Sequence, residues 1–360
     1  MRAPGDCVAP AGRGFLFGPG AAPPETRVIY CPLMTDHLPL VLLTHPLPSE
    51  WTSLLSGRVD LIGGREEIPG WREELLAALP RAEGILSLLT ARVDESILVR
   101  APKLRVVSNM AVGVDNIDVA ACTKRSIPVG NTPGAMTDAT ADLTLALLLS
   151  AARRLPESSR DALEGRWSTW SPTGWLGADL RGATLGIIGL GKIGSAVAER
   201  ARGFGLRLVY WQPAPSVENE ARVGARYVSF EELMSTSDFV SPHCPLNEFT
   251  RGLINESALR KMKASAILVN AARGPVVDTD ALVRALSGHW IQAAALDVTD
   301  PEPLPPGHAL YSLPNCFIAP HIGSATHGAR KRMAEMACEN LLAGLEGKRL
   351  PNCVNPQVYQ

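Results

Sequence analysis

The run Ala183-Thr184-Leu185-Gly186-Ile187-Ile188, followed at once by Gly189-Leu190-Gly191-Lys192-Ile193-Gly194, constrains this chain more than any other segment. A β-rich apolar stretch feeds a glycine turn, and the turn opens a helical stretch, Ile193 to Arg202. Glycines in G-x-G-x-x-G spacing allow a tight turn, close approach of backbone to a pyrophosphate, and close helix-on-strand packing. The helix N-terminus then favours the phosphate charge. Alone the motif is weak; between a strand and a helix it predicts a dinucleotide loop in a parallel α/β domain. The rival reading is a glycine-rich turn in a domain without a nucleotide, and it leaves that context unexplained.

From Pro39 onward, short β-rich runs alternate with helical ones. Leu40 to Thr44, Val59 to Ile62, Gly84 to Leu88 and Leu104 to Ser108 read as strands, and Trp71 to Leu79 as a helix between them. A parallel sheet covered by helices is the expected outcome. Thr137 to Ala152 reads as a helix apolar nearly all round, which demands burial in a core or against another subunit. Arg153 to Gly182 follows as a long polar stretch carrying Trp167, Trp170 and Trp175. A second βα series runs from Ala183 to Ala319, and a helix over Ala329 to Leu345 returns the chain to the first domain. The fold expected is α/β: two Rossmann-like, doubly wound parallel-sheet domains. A cofactor domain, residues 136–323, is inserted into a discontinuous flavodoxin-like substrate domain, residues 37–135 plus 324–360.

At 360 residues there is room for two cores. The net charge of −1 offers no basic excess for a nucleic acid, and no run of 18 apolar residues predicts a membrane span. The cysteines, at positions 7, 31, 122, 244, 316, 338 and 353, show neither CxxC nor zinc spacing, so no metal is expected. Scattered free thiols suit a reducing cytosol. Residues 1–36 are rich in Gly, Pro and Ala and lack an apolar h-region, which predicts a dispensable disordered extension rather than a secretory signal. Scarce acidic residues leave an organelle transit peptide as the alternative.

Three segments near the end each put one ionisable group just past an apolar run. They are Asn270-Ala271-Ala272-Arg273-Gly274, Leu296-Asp297 to Glu302-Pro303, and Pro320-His321-Ile322-Gly323. A guanidinium holds a carboxylate as a fork. An imidazole trades a proton near neutral pH, and a carboxylate beside it raises its pKa. Together with a hydride source they form a toolkit for reducing a 2-oxo acid. The bland alternatives are a loop histidine, a surface ion pair and, for Glu302, an exposed turn carboxylate.

With Val112-Gly113-Val114-Asp115-Asn116-Ile117-Asp118 and Thr132-Pro133 upstream, these segments make the chain resemble the D-isomer-specific 2-hydroxyacid dehydrogenases, closest to the glyoxylate reductase/hydroxypyruvate reductase branch. The resemblance spans roughly residues 39 to 355. It implies that His321 protonates the carbonyl oxygen, Glu302 keeps His321 protonated and oriented, and Arg273 binds the substrate carboxylate. Backbone N–H groups of Val112 and Gly113 would complete that cradle. Gly189, Gly191, Lys192, Ile193 and Gly194 would hold the cofactor, Asp297 would bond its nicotinamide end, and Cys244, Pro245, Ala271 and Gly323 would lie along it. Trp170 would reach the pocket of the other subunit in a homodimer.

Two positions depart from the pattern. Gln212 stands where an NAD enzyme carries an acid, and Gln212-Pro213-Ala214 lacks the arginine of NADPH-preferring relatives. Without a carboxylate to repel the 2′-phosphate, NADP is favoured over NAD by a small margin. Pro242 removes a ladder donor, which predicts that the strand Asp238 to Ser241 stops before it. The resemblance therefore implies reduction of glyoxylate and hydroxypyruvate to glycolate and D-glycerate. Alternatives are a 2-ketogluconate, D-lactate, phosphoglycerate or phosphite dehydrogenase, or a dinucleotide-sensing corepressor of the same fold. The short stretch after Asn355 argues against a regulatory C-terminal domain, and the carboxylate of Glu302 argues against a formate dehydrogenase.

Overall fold

A computed structural model describes residues 37–63 and 70–360. The expected extension, residues 1–36, lies outside the described residues. The first sheet contains β1 (Leu40–Leu43), β2 (Asp60–Gly63), β3 (Gly84–Ser87), β4 (Val106–Asn109) and β5 (Val129–Gly130). All pairings are parallel, in the order β2-β1-β3-β4-β5. The second sheet contains β6 (Thr184–Ile188), β7 (Arg207–Trp211), β8 (Arg226–Tyr227), β9 (Phe239–Pro242), β10 (Ile267–Asn270), β11 (Ala293–Leu296) and β12 (Cys316–Ile318). Its order is β12-β11-β10-β9-β6-β7-β8, again parallel throughout.

The helices in chain order are α1 (Glu73–Ala78), α2 (Glu95–Arg100), α3 (Val119–Lys124), α4 (Thr137–Ala152), α5 (Leu155–Leu163) and α6 (Lys192–Arg202). After them come α7 (Val217–Val223), α8 (Phe230–Thr236), α9 (Glu256–Lys261), α10 (Thr279–Ser287) and α11 (His327–Leu345). Alternation along buried parallel strands splits each sheet's side chains between two faces. Leu40 and Leu42 of β1 join the cluster under α1 to α3, whereas Val41 and Leu43 join the cluster under α11. The second sheet is likewise covered on both faces, by α4 and α6 on one and by α8 to α10 on the other. The return of α11 to the first sheet is sealed by the Ser108 hydroxyl, which donates to the Ala337 carbonyl at 2.8 Å.

Two expectations change. The polar stretch after α4, for which no helix is predicted, contains α5, and no residue of α5 is fully buried. A nine-residue helix with no fully buried residue gives only a short period to read. The ninth strand also runs one residue further than predicted and includes Pro242, paired with Ile188. The alternation that sends the Asp238 N–H to Thr184 would send the next donors from positions 240 and 242. Pro242 has none, and the His243 N–H reaches the Ile188 carbonyl instead, at 2.7 Å. The replacement preserves the pairing and sets His243 and Cys244 at the strand's exit. No described helix is long and apolar enough to cross a membrane.

Candidate active site

In the second sheet β6 lies between β7 and β9, so the chain reverses its direction of travel there. Crevices outside the carboxyl ends of strands at such switch points are where open α/β sheets bind ligands. The glycine loop occupies this crevice. Gly189 has φ +95°, and a Cβ there would press on the backbone of His243 and Cys244, which ends β9. At Gly194 a Cβ would stand 2.1 Å from the Gly189 carbonyl, whereas at Gly191 it would meet nothing within 4 Å. The turn is thus closed on its inner side and open on its outer side. Among the described residues the N–H groups of Gly191, Lys192 and Ile193 have no acceptor. An open cradle of donors at a helix start fits the pyrophosphate of a dinucleotide.

A cavity of about 350 Å³ extends from this loop to the loops of the first sheet. Lys192 and Ile193 line it from α6, Cys244 and Pro245 from the exit of β9, and Ala271 and Arg273 from the exit of β10. Val112 and Gly113 face them from the loop after β4, and His321 closes one end beside Ser324. These nine predicted residues come together on one cavity.

Glu302 stands behind His321. Its Oε1 lies 2.5 Å from His321 Nδ1, and its Oε2 accepts the Thr299 N–H at 3.2 Å. Burial alone would raise the Glu302 carboxyl. The His321 bond and charge, the Thr299 N–H and the Arg273 charge outweigh it and hold the group below the ordinary carboxylate value. The His321 backbone is left-handed, at φ 52°, and its N–H donates to the Asp297 carbonyl at 2.9 Å. The next two N–H groups, of Ile322 and Gly323, donate to the Asp297 carboxylate at 2.7 and 2.8 Å.

Asp297 is only 2% exposed, and its carboxylate holds the His321 loop. Successive N–H groups around a left-handed residue form a nest that a carboxylate fills. Burial pushes the Asp297 carboxyl up in spite of the two N–H bonds. Gly323 is buried against the same carboxylate and is off the cavity wall. Gln212, at the exit of β7, is turned inward: Oε1 accepts the Leu190 N–H at 3.0 Å and Nε2 donates to the Ala214 carbonyl at 2.7 Å. It therefore braces the glycine loop. Trp170 is 79% exposed and reaches no part of this chain's cavity. Among the described residues no group of three His, Cys, Asp or Glu side chains could hold a metal.

Comparison with known proteins meets this geometry. Residues 145–323 match the model of the D-isomer specific 2-hydroxyacid dehydrogenase, NAD binding domain. The chain is 48% identical to a glyoxylate reductase of Aeropyrum pernix, over 89% of this chain and 97% of that one. It is 46% identical to a glyoxylate reductase of Korarchaeum cryptofilum, with the same coverage. A solved structure from Thermus thermophilus superposes with a TM-score of 0.82 at 47% identity, over 88% of this chain and 99% of that one. This chain belongs to the D-isomer-specific 2-hydroxyacid dehydrogenase family.

As a member it is an NAD(P)-dependent dehydrogenase of small 2-hydroxy or 2-oxo acids. Several wall residues of this dehydrogenase carry no local signal. Leu89, Met136 and Met333 come from the loop after β3, the start of α4 and the middle of α11. Isolated apolar residues at such places read as core. Asp115 sits in a segment singled out from sequence but had no role there; the structure puts its Oδ2 2.7 Å from Arg273 Nε. An acid two residues past a cradle glycine was the available signal.

Proposed function

We propose that this dehydrogenase reduces small 2-oxo acids, glyoxylate and hydroxypyruvate first, to glycolate and D-glycerate. The observation that carries the reading is the His321–Glu302 pair, 2.5 Å from Nδ1 to Oε1, at the end of a cavity that Arg273 also lines. With Nδ1 engaged, Nε2 is the ring atom left without a partner among the described residues, and it gives its proton to the substrate's carbonyl oxygen. Glu302 fixes the ring's orientation through the Nδ1 contact. Arg273 takes the substrate carboxylate. The bound dinucleotide supplies the hydride. Among the described residues, Lys192 at the glycine loop is the other Lys or Arg lining the cavity. One cation beside the carbonyl site suits a small unphosphorylated acid.

Initial rates with glyoxylate, hydroxypyruvate, pyruvate and 2-ketogluconate, each with both cofactors, test the assignment. His321→Ala is expected to lower kcat on glyoxylate by about 100-fold or more. A variant turning over at the wild-type rate would sink the reading.

For the cofactor, the reading is that NADPH and NADH are both accepted, NADPH by a narrow margin. No carboxylate follows β7 directly, and on the next helix Glu220 accepts from the Tyr210 hydroxyl at 2.6 Å. Gln212→Asp is expected to move the NADPH-to-NADH ratio of kcat/KM toward NADH by about tenfold, the effect of one like charge near a phosphate. An unchanged ratio would locate the discrimination elsewhere.

The working unit in this reading is a homodimer. Leu163, Trp167, Trp170 and Leu176 are each more than half exposed along the segment after α4, a grouping that water disfavours. The free thiols at 122, 244, 316, 338 and 353 suit a reducing compartment such as the cytosol.

A further inference from the structure

The loop from Ala111 to Asn116 is fastened from its inner side by buried or half-buried amides. Asn131 Nδ2 donates to the Val112 carbonyl at 2.8 Å, and Asn109 Nδ2 donates to the Gly113 carbonyl at 2.9 Å. Asn116 Nδ2 ties the same loop to the carbonyls of Leu88 and Ala91 at 3.1 and 2.9 Å. In a trans peptide the N–H points opposite to the preceding C=O. Drawing the carbonyls of Val112 and Gly113 inward therefore turns the N–H groups of Gly113 and Val114 outward. Neither has an acceptor among the described residues, and Gly113 lines the cavity.

Arg273 meets this loop from the opposite sheet. Its Nε donates to Asp115 Oδ2 at 2.7 Å, and its Nη1 donates to the Ala272 carbonyl at 2.8 Å. Nη2 lies so close to Gly113 that a Cβ there would come within 2.1 Å of it. A guanidinium can grip a carboxylate side-on, through Nε and one Nη, or end-on through both Nη groups. Asp115 occupies the Nε edge, which closes the side-on mode and leaves the end-on one.

We propose that Asp115 is a positioning residue for substrate: by holding the Nε edge of Arg273 across the cleft, it presents the Nη end, beside the N–H groups of Gly113 and Val114, to the carboxylate of a 2-oxo acid. The inference rests on the 2-oxo acid reading of the site and names a residue that reading leaves without a role. The opposite idea, that Asp115 competes with substrate for Arg273, would need it on the Nη end. The two differ in the sign of a measurable effect.

The test uses the holoenzyme with NADPH, comparing wild type, Asp115→Ala and Asp115→Asn. Glyoxylate kinetics are read beside the binding of oxamate, an unreactive carboxylate analogue. Asp115→Ala is expected to raise the glyoxylate KM and the oxamate Kd about tenfold, the effect of losing a charge-assisted hydrogen bond. The KM for NADPH should stay within about twofold, and kcat should fall less than KM rises. Asp115→Asn keeps an acceptor without the charge, and should give an intermediate rise of about threefold. Should the alanine variant fail to fold, the asparagine variant carries the test. A glyoxylate KM and oxamate Kd that stay level or fall in the folded variants overturn the proposal. So does an equal rise in the NADPH KM, which marks general damage. A wild type that binds oxamate but reduces no 2-oxo acid overturns the functional reading instead.

Discussion

Two histidines line the cleft, and their surroundings separate them. Burial pushes His243 down from its ordinary value of 6.5 to about 4, whereas His321 has a carboxylate 2.5 Å from its ring. The Ser241 hydroxyl donates to the Val269 carbonyl at 3.2 Å, so its single proton is taken and His243 Nε2–H donates to Ser241 Oγ at 2.9 Å. A neutral, anchored ring is a structural part. Its linkage to stability has a definite sign. The unfolded chain takes up the proton below 6.5 and the folded chain only below about 4, so stability is lost as pH falls through that window. Thermal melts of wild type and His243→Asn between pH 7 and 4.5 should show a shallower pH dependence in the variant. Equal slopes would mean that His243 is not the group responsible. Glu302 acts lower: its carboxyl is held below the ordinary 4.5, so its contribution persists until pH falls through that lower value. Burial pushes the Cys122, Cys316 and Cys338 thiols up to about 12 and Cys244 up to about 11, which favours their protonated forms.

Among the elements, the strand–turn–helix unit from β6 to α6 shows how one motif divides its labour. Gly194 is needed for packing, because a Cβ would lie 2.1 Å from the Gly189 carbonyl and 3.2 Å from Ile187 Cγ2. Gly191 is not crowded by the protein at all. Gly194→Ala should therefore lower folding stability by about 1–3 kcal/mol, the usual range for overpacking. Gly191→Ala should leave the melting temperature near wild type and weaken dinucleotide binding. Calorimetry and a fluorescence titration with NADPH separate the two, and matching losses of stability would refute the division. This unit was legible in the sequence because everything that defines it is local. The exit of β9 was less so: a proline reads as a strand end, and only the neighbouring strand shows that His243 supplies the missing donor to Ile188. The fifth helix is nine residues long with none fully buried, so it was read as part of the polar stretch around it.

On the scale of the molecule, two wound sheets face each other, and the chemistry lies where loops of one meet loops of the other. Within the chain, α4 buries Leu145, Leu147 and Leu148 but leaves Ala146 exposed and Leu143 and Leu149 half exposed. Together with the exposed tryptophans after it, this is surface suited to a second copy. Sedimentation or light scattering should give twice the 38.4 kDa chain mass, and Trp167→Ala with Trp170→Ala should shift that mass toward the monomer and lower kcat/KM. A wild type that runs as a monomer with full activity would rule the dimer reading out. The sequence by itself determined the parallel α/β class, and it pointed to the glycine loop and to Arg273, Glu302 and His321 as the proposed site, because strand-exit chemistry and glycine spacing are properties of contiguous residues. Only the tertiary structure decided the rest. It showed that Asp297 holds the His321 loop and that Gln212 accepts from Leu190, and it joined Asp115 to Arg273 across 158 residues of chain. A hydrogen bond is settled by which groups are neighbours in space, and a chain position carries no record of its partner on the opposite wall.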